Sequence, residues 1–259
     1  MGRYFAEVHE GPGSQLGSLP ETVKDTEEIV EMRRSLDSIS AVEERYEAML
    51  ALSKALVFQL RYKSALDVLD QAVSLCPSRT EALRMRAIRR LYTLDTQGSL
   101  DDFLRLREMN YGDVSYQIGL GHFMSGQYGK AMEEMETCYG LADNEMKIAA
   151  MYWHTIAARR CNGKASLLGN YTDGFECGHH TAYKAACAMF AGHGTESELY
   201  GLACRERSDL EFSMLGYAMH EVGAMPLDVI VARDSFWIGF AYVAAWNELH
   251  YQGKGRSFK

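Results

Sequence analysis

The chain has 259 residues, 47% of them hydrophobic and 24% charged, a balance that excludes wholesale disorder. Its 27 Lys and Arg stand against 35 Asp and Glu, a net charge of −8, so nucleic acid is not an expected partner: a phosphate backbone asks for clustered positive charge. No window approaches the roughly 18 uninterrupted apolar residues of a membrane span, and no apolar run follows Arg3, which points to a cytoplasmic protein whose six cysteines stay reduced.

Residues 1–40 read as a leader or capping segment. Gly11-Pro12-Gly13 and Gly17-Ser18-Leu19-Pro20 punctuate it, and a polar helix is expected from Glu21 to Leu36. From Ala41 onward apolar residues recur every three or four positions. Val42, Tyr46, Met49, Leu52, Leu56 and Leu60 form one stripe, and Ala65, Val68, Leu69, Ala72 and Leu75 a second. Two amphipathic helices joined at Arg61-Tyr62-Lys63 make a hairpin, which Pro77 closes because it lacks an amide hydrogen.

The hairpin repeats. Small residues at the expected helix crossings, Ala65, Ser99, Ala131 and Ala165, are spaced by 34, 32 and 34 residues. Leu69, Phe103 and Met135 follow them by four, and Ala72, Leu106 and Cys138 by seven. Small residues let two helices approach, and the large ones fill the space against the next hairpin.

This register resembles the tetratricopeptide repeats. The unit at 112–145 carries the pattern best, with Gly119, Gly126, Tyr128, Ala131 and Cys138. The unit at 46–79 contributes Leu52, Tyr62, Ala65, Ala72 and Pro77 but has Leu60 where glycine is usual. The unit at 80–111 is degenerate, and a fourth is expected from Met146 with Trp153 and Ala165. The resemblance covers about residues 41–170 and implies an all-α, right-handed α-α superhelix, a solenoid that residues 171–259 continue as a helical extension. Helices are expected there at 178–191, 196–205, 208–222, 226–233 and 235–251. The last contains Phe236–Trp246, apolar nearly all round and therefore packed between neighbours or in a dimer.

Enzymatic motifs are weak. Cys177-Gly178-His179-His180, near Asp173 and Glu176, offers zinc-type donors, but the spacing fits no common framework, and adjacent histidines on a helix diverge by about 100°. The favoured expectation is that His179 or His180 sits in a first helical turn, bonded to backbone or a carboxylate. His220-Glu221 has Ala224 where a metalloprotease helix needs its second histidine, and no nucleophile elbow or phosphate loop occurs. Neither catalysis nor a cofactor is expected.

The family resemblance supplies a different site. Its groove positions on successive first helices fall on Lys54 and Phe58, Arg84 and Tyr92, Tyr116, Phe123 and Met124, and His154. Aromatic and arginine side chains are typical binding anchors. Lys and Asn, which clamp acidic tails in one subfamily, are replaced by Leu50 and Lys54 in the first unit. The expectation is a non-catalytic scaffold whose concave face grips a protein or peptide. The alternatives are a metal-dependent hydrolase built on Cys177, His179 and His180, and a structural homo-oligomer joined through the Phe236–Trp246 helix.

Overall fold

The computed structural model describes residues 25–59, 61–233 and 239–251, and every regular element among them is helical. It divides into two compact units, the first ending at Gly112 and the second beginning at Asp113. That boundary runs through the expected repeat array and not at residue 170.

In the first unit, α1 (Glu27–Ser38) packs on α2 (Val42–Phe58), α2 pairs with α3 (Tyr62–Leu75), and α3 leads to α4 (Thr80–Tyr92) paired with α5 (Thr96–Glu108). Each helix thus packs on its neighbour in sequence, the arrangement of an all-α helical-repeat solenoid. The crossings are as tight as the small residues imply. Ala65 and Ser99 are fully enclosed, and the Ser99 hydroxyl donates to the carbonyl of Ala87 across the hairpin (2.8 Å). Tyr46 on α2 is buried, and its hydroxyl accepts from the Ala82 amide at the start of α4 (3.0 Å), joining successive hairpins and satisfying an orphan helix donor. Arg79 lies over the Tyr46 ring and pairs with Glu43 and Glu47. A second network centres on Asp102, buried on α5, which accepts from Arg86 (2.6 Å) and Arg90 (2.9 Å) of α4.

The second unit opens with the hairpin α6 (Ser115–Met124) and α7 (Tyr128–Leu141), followed by α8 (Asn144–Arg160), α9 (Thr181–Phe190), α10 (Glu196–Arg205), α11 (Asp209–Glu221), α12 (Leu227–Val231) and α13 (Phe240–Tyr251). Sequence sets these starts by capping. Asp143 caps α8 through the Met146 amide, Ser208 caps α11, and Thr195 with Glu198 forms a capping box on α10. Arg159 and Arg160 complement the carbonyl end of α8.

Several helix ends share one geometry. Leu94, Gly126 and Asn162 adopt the left-handed conformation, at φ 61°, 73° and 53°. The next amide in each case, on Asp95, Gln127 or Gly163, bonds the carbonyl five residues back at 2.8–2.9 Å. This is the Schellman closure of a helix end. The backbone shape therefore survives at Leu94 and Asn162, where glycine, the residue best suited to it, is replaced. The Arg61 amide bonds the Leu56 carbonyl at 2.9 Å.

Two expectations need correction. The fourth unit has no second helix: Ala165 caps a 3₁₀ turn, Ser166–Asn170, and the chain then runs irregularly to His180, because Gly163, Gly169 and Gly174 punctuate the segment. The helix expected from 178 begins at Thr181, leaving His179 and His180 in the turn before it. The expected start of the polar helix at Glu21, the glycine-proline breaks of the leader and Phe236–Ile238 lie outside the described residues. The remainder of the last helix is packed between neighbours of its own chain, with Ala241 to Trp246 enclosed by α11, α12 and α6.

Candidate functional site

The eight side chains expected to line one groove occupy two different environments. In the first unit, Lys54 and Phe58 are exposed on α2, on a stripe with Glu47 and Ala51 that follows the helical period. Arg84 is exposed on α4, the first helix of the next hairpin. The Tyr46–Ala82 bond and the Arg79 ion pairs hold α2 and the start of α4 against each other. Phe58 is 91% exposed, the most exposed large hydrophobic side chain among the described residues. Tyr92 departs from expectation: it is half-buried and sets its ring edge-on to Tyr62 at 6.1 Å, so it belongs to hairpin packing.

In the second unit the expected groove residues are interior, which overturns their assignment as an open surface. Phe123 meets Trp153 at 4.9 Å, Tyr128 at 5.3 Å and Tyr217 at 6.3 Å between ring centres, all steeply inclined. The Tyr116 hydroxyl accepts from the Trp153 indole (3.1 Å), and its ring contacts Phe240 of α13. Met124 is buried, and its carbonyl accepts from the Asn247 side-chain amide of α13 (3.0 Å). The physical cause is the return of α11 and α13, whose aromatic and amide groups fill the face these first helices would otherwise present. Nothing in the 34-residue register signals that return.

His154 is likewise enclosed. Its Nε2 lies 3.2 Å from both Glu136 Oε1 and Ser166 Oγ, while Ser166 donates to the same carboxylate (2.6 Å). A serine, a histidine and a carboxylate thus meet, but not as a hydrolytic triad. A triad puts acid and serine on opposite ring nitrogens; here both crowd Nε2, and Nδ1 is buried without a partner. Burial lowers the pKa of His154 against the opposing pull of Glu136, keeping the imidazole neutral.

A charged network anchors α13. Arg160 donates to Glu221 and to Glu248 (2.8 Å), Tyr217 donates to Glu248 (3.1 Å), and His220 approaches Glu248 at 3.3 Å. Burial works to raise the Glu248 pKa, but hydrogen bonds from His220 and Arg160 outweigh it and bring it down to about 2. The bond to Glu248 correspondingly raises His220.

Among the described residues, one donor cluster has metal-ligand chemistry. Glu145, in the first turn of α8, pairs with His179 Nδ1, and its carbonyl faces His180 Nδ1 at 2.9 Å. The two imidazoles stand 4.6 Å apart, since neither is in a helical turn. Cys177, expected to join them, instead directs its thiol at the Gly178 carbonyl. Glu145 stands 34 residues before His179, and no sequence motif links the two. All six cysteines are free thiols, and burial pushes that of Cys138 up to about 12, well away from a nucleophilic thiolate. No helix among the described residues is long and apolar enough to cross a membrane. The chain matches no family model, no curated protein and no solved structure.

Proposed function

We propose that the protein is a non-catalytic, cytoplasmic scaffold of the tetratricopeptide type, which binds a protein or peptide segment, not nucleic acid, on the outward face of its first unit. The observation that carries this reading is Phe58, an aromatic ring left 91% exposed on the same helical stripe as Lys54. Burying such a ring in a partner contributes about 2–3 kcal/mol, which gives a protein reason to meet it with an apolar side chain. Lys54 and Arg84 supply cations for carboxylates beside it, and the guanidinium of Arg84 suits bidentate pairing. Packed first helices make a stiff platform, so binding requires little reordering of the scaffold.

The second unit supports the reading by contrast, since its equivalent first-helix residues are used internally. The partner face is therefore Lys54, Phe58 and Arg84, without Tyr116, Phe123, Met124 or His154. Selection of binders from a random peptide display library, followed by titration calorimetry against wild type, Phe58→Ala, Lys54→Ala and Arg84→Glu, tests it. The expected outcome is loss of about tenfold or more in affinity for Phe58→Ala, the residue placed as the anchor. Selected peptides that bind all three variants as tightly as wild type would remove the face.

A further inference from the structure

We propose that Glu145, His179 and His180 form a binding site for a divalent transition-metal ion of the zinc class. The site lies in the second unit and stands independently of the partner face described above. Each residue offers one ligand atom, and the three atoms lie within 4.8 Å of one another. Around an ion with bonds of about 2.0–2.2 Å, tetrahedral donors sit roughly 3.3 Å apart, so closure asks for at most about 1.5 Å of movement. His179 is 80% exposed on its side chain and Glu145 33%, so side-chain rotation supplies that movement without disturbing the core.

Two further features shape the cluster. His180 donates from Nδ1 to the Glu145 carbonyl, which fixes its tautomer and leaves the other ring nitrogen with a lone pair to give. Ligating imidazoles characteristically have such a backbone partner, which orients the ring and raises its basicity. Gly178 is left-handed at φ +52°, and a Cβ there would come within 2.3 Å of Glu145 Oε2. Glycine therefore allows the turn to close over the carboxylate while carrying both histidines to it.

Two imidazoles and one carboxylate form a donor set of intermediate softness, suited to zinc, cobalt or nickel over calcium or magnesium. Three protein ligands leave the remaining positions to water, on the exposed His179 side. A bound ion would take the place of the direct His179–Glu145 contact. It would also pin the turn preceding α9 to the first turn of α8, joining segments that sequence alone leaves 34 residues apart.

The test uses the full chain, stripped with a chelator and titrated with cobalt(II) by visible absorption and with zinc(II) by calorimetry. One saturable equivalent is expected, weakened about tenfold or more by His179→Ala and by Glu145→Gln, and left unchanged by Cys177→Ala. Gly178→Ala is expected to weaken it as well, by displacing the carboxylate. His179→Ala removes an exposed side chain, so circular dichroism should match wild type and a lost site cannot be blamed on unfolding. Absence of saturable binding would overturn the proposal, as would binding that persists unchanged in both His179→Ala and Glu145→Gln.

Discussion

The two units start from the same hairpin and finish differently. In the first, the outward stripe of α2 ends on a bare Phe58 ring. In the second, α6 places Tyr116, Phe123 and Met124 against Trp153 and under α11 and α13. The same register thus produces a surface in one place and a core in the other. What decides between them is whether later chain returns to cover the face, a long-range fact that no local pattern encodes.

The comparison can be broken most severely at Trp153. Truncation to alanine is expected to cost about 3–5 kcal/mol, as for other fully enclosed large aromatics. All three tryptophans, 153, 237 and 246, fall after residue 112, so indole fluorescence reports the second unit alone while circular dichroism reports both. The urea transition seen by fluorescence should move, and part of the dichroism transition should stay. A single transition shifted equally by both probes would show that the units do not unfold separately.

Acid should separate them next. Glu248 has an ordinary pKa of 4.5 and a folded value of about 2. A depressed folded pKa gives stability that is present above pH 4.5 and lost as pH falls toward 2, here about 3 kcal/mol at most. Glu248→Gln is expected to flatten that acid limb in fluorescence-monitored melts. His220 acts in the opposite sense, because its raised pKa gives stability that is full below 6.5 and fades as pH rises through the folded value.

In the first unit the matching change is Asp102→Asn, which leaves Arg86 and Arg90 short of an anion. It should cost about 1–3 kcal/mol in dichroism-monitored melts and leave the fluorescence transition in place. A smaller effect of opposite sign is expected from Leu94→Gly. Leucine at φ 61° is strained, and glycine should stabilise the first unit by about 0.5–1 kcal/mol. Smallest of all, Phe58→Ala should change the unfolding free energy by less than about 0.5 kcal/mol while weakening the binding of selected peptides about tenfold or more.

Helix positions were largely legible in the sequence, because apolar spacing and capping residues act locally. The helix expected at 196–205 forms at Glu196–Arg205, and that at 208–222 at Asp209–Glu221, each with its cap one residue upstream. Ala165 misled because it kept the spacing of Ala131, while the glycines around it removed the helix in which a small crossing residue has meaning. Exposure was legible where it follows from helix face alone, at Lys54, Phe58 and Arg84. Burial of His154 and convergence of Glu145 with His179 depend on tertiary contacts that leave no periodic trace.

The Asn247–Met124 bond has a consequence for how such an array can change over evolutionary or engineering time. Hairpin repeats are ordinarily modular: one can be duplicated or deleted, and the stack only lengthens or shortens. Here α13 is keyed to the end of α6, so a hairpin spliced between α7 and α11 would pull that key from its lock and strip Trp153 of its cover. The first unit carries no comparable latch among its described residues. Growth by duplication is therefore free in one half of the chain and forbidden in the other.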